Sequence, residues 1–326
     1  MTKLPVMAVA FAFILIATAA AADADSLRRV TFLPQWFPQA QFAGYFVAME
    51  KGFYRRHGID LVLLRGGPGA SPEEAFRRGK ADFATIFLAE GIRLRAGGLK
   101  IVHVAQVVRR SGVLLVARRS SGILKPSDFA GKKVSLWEHF RIQPMAFFRK
   151  YGVHPEVVPQ TFTPNLFLRG GVDAVSAMVY NEYHTLLSAG LDDGDLTVFA
   201  MADHGLNFPE DGIWCREELC ARSPRTCRAF VAATMDGWRY AFENPEEALD
   251  IVMKYVEEAK INGSRTHQRW MLARMKDLIR PSGISRPSGR LDREDYNRVA
   301  RALADAGIIR SVPSYGDIHV HSPGQD

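Results

Sequence analysis

Apolar and polar positions along the chain fall into two alternating registers: short apolar runs bounded by Gly and Pro, and longer stretches with apolar residues three and four apart. The first read as strands and the second as amphipathic helices. Residues 27–33 form the first run. After Trp36-Phe37-Pro38 comes a helical stretch in which Phe42, Tyr45, Phe46 and Met49 recur at helical spacing, with Gly52 as its stop. Residues 59–64 read as a second strand, closed by Gly66-Gly67-Pro68-Gly69. Ser71 then caps a helix that opens with Pro72-Glu73-Glu74, proline in the first turn and acids at the positive end of the dipole. Residues 81–84 and 101–107 are expected as the third and fourth strands. Strands alternating with helices of about ten residues predict a parallel sheet and an α/β layer fold.

Near Arg118 the pattern restarts. Gly131-Lys132-Lys133 leads into a strand at 134–137, followed by a helix at 144–151, a strand near 156–158, a helix at 164–169 and a strand at 174–180. From about Asp211 the pattern turns helical and stays so, over 224–242, 245–259, 265–279 and 293–306. No internal repeat of fixed period is present. These units predict two lobes around a cleft: residues 25–116 with 212–326 as lobe I, and 117–211 as lobe II. The chain would cross between them near 116–121 and 204–212. Ligand sites in open α/β sheets lie at the carboxyl ends of strands, and domain interfaces favour pockets.

The N-terminus sets the expected compartment. Lys3 precedes an unbroken apolar run over residues 7–17, and Ala20-Ala21-Ala22 and Ala22-Asp23-Ala24 offer small-x-small cleavage patterns. A cleavable signal peptide over residues 1–24 and a periplasmic mature protein are expected. With 47% apolar and 24% charged residues, the remainder has an ordinary globular composition. Lys and Arg number 42 against 35 Asp and Glu, and the Arg pairs are scattered without interleaved aromatics, so no nucleic-acid partner is expected. Cys215, Cys220 and Cys227 cluster, which in an oxidising compartment predicts one local disulfide and one thiol, with the pairing open. No histidine lies near them at ligand spacing, so no metal is expected. His319 and His321 fall in what reads as a loose C-terminal end.

Candidate ligand contacts sit just after predicted strands. Trp36, between Pro34 and Pro38, is presented as a rigid aromatic face; the competing reading packs it beneath its loop. Tyr45, on the following helix, is counted with it as a ligand-binding candidate. Ser71 caps a helix N-terminus after a glycine-rich turn that has neither the GxGxxG nor the P-loop pattern. Trp137, in Trp137-Glu138-His139-Phe140, holds the equivalent place in lobe II, so the two indoles suggest an aromatic sandwich, one wall from each lobe. Tyr180-Asn181-Glu182-Tyr183 follows an apolar strand. Glu182 there would meet an amino-heterocycle or ammonium donor, with Asn181 and Tyr180 orienting or stacking; a solvated loop is the alternative. No Ser-His-Asp set, metal triad or carboxylate pair assembles, so a binding protein without cofactor is expected rather than an enzyme.

These motifs carry a resemblance. Thr31 to Val62, with Trp36-Phe37-Pro38, Glu50-Lys51-Gly52-Phe53-Tyr54 and His57-Gly58-Ile59-Asp60, resembles the pyrimidine-precursor branch of the NMT1/THI5-like solute-binding family. Gly79-Lys80-Ala81-Asp82-Phe83, the segment from Asp128 to Trp137, and that from Asp173 to Glu182 match it in order. The resemblance implies a type II periplasmic-binding fold and delivery of a small heterocycle to an ABC permease in the inner membrane; a monomer is expected. It also implies a pyrimidine thiamine precursor as ligand, held by Trp and Tyr stacking and read by a Glu; a sulfonate, nitrate or riboflavin-like compound is the alternative within that role. The superfamily includes enzymes that consume their own histidine and a pyridoxal-phosphate lysine to build the pyrimidine. In this chain those positions fall near Ile86 and Glu90, and the iron-binding cysteine motif is absent, which argues against synthase activity. A sensor that presents its ligand to a membrane signalling partner is the other role this sequence suits.

Overall fold

The computed structural model describes residues 27–281 and 289–320, so the expected signal peptide lies outside the described residues. Among the described residues, ten strands make two five-stranded sheets. In chain order they are β1 (Arg28–Leu33), β2 (Ile59–Leu63), β3 (Phe83–Phe87), β4 (Ile101–Gln106), β5 (Val113–Arg118), β6 (Lys133–Leu136), β7 (Glu156–Pro159), β8 (Ala174–Met178), β9 (Leu196–Ala200) and β10 (Asp211–Arg216). The first sheet runs β2-β1-β3-β10-β4 and the second β7-β6-β8-β5-β9. Each is parallel except for one strand. β10 is antiparallel to β3 and β4, and β5 is antiparallel to β8 and β9. Both exceptions are the strands that the chain enters directly from the other lobe.

The fold departs from two expectations. Residues 211–216 were expected at the start of a helical region, yet they form a central strand whose Ile213, Trp214 and Cys215 are fully buried. A strand covered on both faces reads as a continuous apolar run, which periodicity alone does not separate from a buried helix. The first crossover is residues 107–112 rather than 116–121, because β5 already belongs to the second sheet. The second crossover, 205–210, lies within the expected span. The two crossovers bond to each other, with Glu210 N–H donating to Val108 O and Val108 N–H to Asp211 O.

The helices that matter for the cleft are α1 (Ala43–Glu50), α2 (Pro72–Arg77), α3 (Leu88–Ala96), α4 (Ile142–Lys150), α5 (Glu182–Ser188), α6 (Pro224–Glu243), α7 (Pro245–Glu258), α8 (Arg265–Ile279) and α9 (Arg293–Asp305). The long amphipathic α6 covers the first sheet, and its Phe230 stacks on Phe83 of β3 with centroids 4.1 Å apart. It meets α1 at backbone distance. A Cβ on Gly237 would lie 2.0 Å from Gly44 O, and one on Gly44 would lie 2.3 Å from the Trp238 ring, so both positions require glycine. α8 reaches across to the second lobe, where Trp270 Nε1 donates to Val179 O at 2.9 Å. The part of the expected loose end that is described, up to Val320, is docked instead, and His321 lies outside the described residues. His319 is buried, and its Nδ1 lies 3.0 Å from that of His103 in β4.

Candidate functional site

A cavity of about 1200 Å³ opens between the two sheets, walled by residues at the carboxyl ends of β1, β3, β6 and β8 and by α2, α3 and α4. Of the seven residues singled out from the sequence, Trp36, Ser71, Trp137, Tyr180, Asn181 and Glu182 line it. Tyr45 does not. It is 2% exposed and stacks on Phe32 with centroids 4.6 Å apart, on the side of α1 that meets the core. Helical spacing put Tyr45 on an apolar face, and that face turns toward the sheet and α6 rather than the cleft.

Trp36 leaves β1 on a loop held by close backbone contact. A Cβ on Gly66 would come within 2.2 Å of Trp36 O and 2.3 Å of Pro34 O, so the glycine-rich turn seats the Trp36 loop. Ser71 is exposed, and its Oγ accepts from Glu74 N–H as a helix cap. From the second lobe, Trp137 N–H donates to Ser176 Oγ, which fixes the start of its loop. The expected aromatic sandwich is absent. Trp36 and Trp137 touch each other edge to face, with centroids 6.1 Å apart and planes at 89°. Phe162 and His139, neither of which the sequence reading placed in the site, complete the cluster. Trp137 stacks on His139 at 5.4 Å, and Phe162 packs 4.9 Å from Trp137 and 5.8 Å from Trp36. Phe162 is 59% exposed, and an exposed aromatic in a polar loop was the signal available for it.

The polar wall is wired internally. Glu182 opens α5 rather than lying in a loop. Its Oε2 accepts from Met178 N–H at 2.8 Å and its Oε1 from Asn181 Nδ2 at 2.9 Å. Burial raises its pKa, opposed by those two bonds. Asn181 Oδ1 faces His267 Nε2 at 2.9 Å, and His267 Nδ1 lies 2.9 Å from His184 Nδ1. The tautomers follow from the chain: His267 carries its proton on Nε2 to serve the amide oxygen, so His184 donates from Nδ1. Because His267 is on α8 and His184 on α5, this pair bridges the lobes.

Behind the cavity lie two acids that the sequence reading missed, Glu210 at 3% and Asp211 at 1% exposure. Glu210 accepts from Gly112 N–H through Oε1 and from Tyr180 O–H through Oε2. Asp211 accepts from Gln35 Nε2 through Oδ1 and from Gln41 Nε2 through Oδ2. Burial pushes Glu210 up to about 8, and the neighbouring Asp211 charge adds to it; burial pushes Asp211 up to about 7. Adjacent acids at a crossover are unremarkable in sequence. Only the meeting of the two crossovers buries them.

Cys220 and Cys227 form a disulfide, leaving Cys215 as a buried thiol with its Sγ 3.7 Å from that of Cys227. One bridge and one thiol is the expected state.

Residues 39–248 match the family model described as NMT1/THI5 like. The chain is 25% identical to a riboflavin-binding protein, RibY, of Chloroflexus aurantiacus, over 87% of this chain and 82% of that one. It is 24% identical to a formylaminopyrimidine-binding protein of Halalkalibacterium halodurans, over 84% of each. Other relatives are named as 4-amino-5-hydroxymethyl-2-methylpyrimidine phosphate synthases. Among solved structures, the periplasmic sulfonate-binding protein SsuA of Methylobacillus flagellatus superposes with a TM-score of 0.69 at 17% identity, covering 91% of this chain and 92% of that one. The shared architecture is the expected two-lobed type II binding fold.

Proposed function

The chain belongs to the NMT1/THI5-like family, and from that premise we propose that it is the periplasmic solute-binding component of an ABC-type importer for a planar nitrogen heterocycle of the pyrimidine-precursor class. The observation that supports this reading is the composition of the cleft. Trp36 of one lobe meets Trp137 and Phe162 of the other, and the carboxylate of Glu182 lies on the same cavity. Aromatic faces suit a flat ring, and a half-buried carboxylate suits an amino group on it. A sulfonate is poorly served beside Glu182, and of the arginines on the cavity wall Arg93 is paired with Glu73 and Glu90 and Arg141 with Glu138.

The binding role is favoured over synthase chemistry by Ile86 and Glu90, which stand near the places where the resembling enzymes carry a lysine and a histidine. Both line the cavity, and neither side chain can form the pyridoxal-phosphate imine. The cavity volume supports a second ligand reading. At about 1200 Å³ it exceeds what one pyrimidine fills and admits a tricyclic flavin-like ring system.

Mass spectrometry of small molecules released from protein purified from its native periplasm tests the proposal, followed by titration calorimetry with the compound found. A pyrimidine or flavin is the expected passenger. A sulfonate, or turnover of pyridoxal phosphate on the protein, would overturn it.

A further inference from the structure

We infer that Asp211, buried behind the cavity, is a positioning residue that turns the cavity-lining amides of Gln35 and Gln39 oxygen-outward, so that the site selects a ligand presenting N–H donors. This inference rests on the solute-binding role proposed above and adds the hydrogen-bonding class of the ligand.

The argument is one of donor accounting. Above its raised pKa of about 7, Asp211 is ionised and offers only acceptors, so an amide beside it must turn its NH2 end inward. Asp211 has two such neighbours, with Gln35 Nε2 donating to Oδ1 and Gln41 Nε2 to Oδ2, the latter at 2.8 Å. Gln41 then presents its own oxygen to Gln39, whose Nε2 donates to it at 2.6 Å. The orientation set at Asp211 is thereby passed to a third amide. Gln35 and Gln39 both line the cavity, and among the described residues no protein donor reaches either of their Oε1 atoms.

The opposite wall has the same polarity. The Tyr180 hydroxyl donates to Glu210, and Asn181 Nδ2 donates to Glu182 while its oxygen is taken by His267. Glu182 keeps lone pairs beyond the two bonds it accepts. Across Gln35, Gln39, Tyr180, Asn181 and Glu182 the bonded donors are engaged within the protein, and acceptor oxygen is left toward the cavity. The other donors on its wall include the indoles of Trp36 and Trp137 at the aromatic end and the guanidinium groups of Arg93, Arg141 and Arg149. Unpaired polar groups in a closed site are costly, so a ligand that leaves these oxygens without N–H partners is rejected more strongly than its shape warrants.

Two measurements on the full chain test this. The first needs no ligand: side-chain 15N–1H spectra, with Gln35→Met and Gln41→Met supplying assignments. The Gln35 and Gln41 amide protons should exchange at least about tenfold slower than exposed glutamine amides, and Asp211→Asn should abolish that protection. Fast exchange in the parent would overturn the inference. The second compares 4-amino-5-hydroxymethyl-2-methylpyrimidine with its 4-dimethylamino analogue, and riboflavin with 3-methylriboflavin. Removing the N–H should weaken parent binding by about tenfold or more, the scale of one unmade buried hydrogen bond. Asp211→Asn should narrow the ratio to about threefold or less. Gln35→Met, close in size, should do the same if Asp211→Asn fails to fold. Were bulk alone responsible, both variants would keep the full discrimination, and the inference would fall. If none of the four compounds binds the parent, the ligand class proposed above is wrong, while the exchange measurement still decides the role of Asp211.

Discussion

Trp36 and Trp137, one from each lobe, stand edge to face with their ring centroids 6.1 Å apart and their planes at 89°. Two parallel faces with a gap between them would be needed to sandwich a flat ring. Perpendicular rings in contact instead close the aromatic end of the cleft on itself. A flat ligand stacked on one indole would have to displace the other.

The two indoles should accordingly contribute unequally. Trp36 packs against Phe37, Phe162 and Trp137 and meets His139 edge-on, whereas Trp137 stacks face to face on the exposed His139. Replacing the indole used for stacking by alanine should weaken binding by more than 1 kcal/mol, from roughly 0.5–1.5 kcal/mol of ring–ring geometry plus lost area. Calorimetry on Trp36→Ala, Trp36→Phe and Trp137→Ala reads the difference. Trp36→Phe should recover part of the loss. Equal, full losses from both alanine variants would restore the sandwich.

Glu182→Gln separates ligand recognition from local structure. Both carboxylate oxygens accept protein donors, so the substituted NH2 must face either Met178 N–H or Asn181 Nδ2. Some stability is lost whatever the ligand does, on the order of 1 kcal/mol. If Glu182 also reads an amino group, affinity should drop by a further 1.5–3 kcal/mol, roughly ten- to a hundredfold. Thermal melting without ligand and calorimetry with it give the two quantities independently. A lower melting temperature with unchanged affinity would make Glu182 a purely structural residue.

How much of this was legible in the sequence depends on whether the signal was local. Trp36, Trp137 and Glu182 could be placed on the cavity wall because each follows an apolar run, and strand ends are where that wall gathers. The T-shaped contact was not legible, because ring orientation depends on how closely the lobes approach. Tyr45 was misplaced because helical spacing shows that a face is buried, and not against what. β10 was missed because a buried strand lacks alternation, and with it went Asp211, whose role exists only through Gln35 and Gln41, far from it in the chain.

The cysteine cluster makes a counting prediction. Cys220 lies within the short helix Glu217–Arg222 and Cys227 in the first turn of α6, so their bridge closes a small loop. Chain-entropy arguments give such a loop roughly 2–3 kcal/mol. Unreduced, denatured protein should show one reactive thiol, and native protein none, since Cys215 is buried. Peptide mapping should find Cys220 joined to Cys227. A Cys215–Cys227 bridge would show that the nearby thiol has exchanged into the pair. Three reactive thiols would remove the disulfide altogether.

Two sets of groups, the buried acids Glu210 and Asp211 and the half-buried histidines His184 and His267, give stability opposite slopes with pH. Glu210 and Asp211 are raised to about 8 and about 7, so the folded chain holds protons that the unfolded chain has released. Their contribution is fully present below the ordinary carboxylate range, declines as pH rises, and is gone above about 8. His184 and His267 are lowered by burial, and His267 also by its neighbour His184. Their contribution holds above the ordinary imidazole value of 6.5 and is lost as pH falls below it, when a second Nδ1 proton breaks the bond between the lobes. Glu210→Gln mimics the protonated acid at every pH. It should match the parent near pH 5 and become progressively more stable than the parent up to about pH 8. His267→Gln, which cannot charge, should lose ground to the parent at pH 7 and regain it below 6. Melting temperatures of parent and variants across pH 5–9 report each difference free of the remaining titrating groups. A Glu210→Gln difference that stays constant across that range would mean that Glu210 is already ionised at its buried crossover.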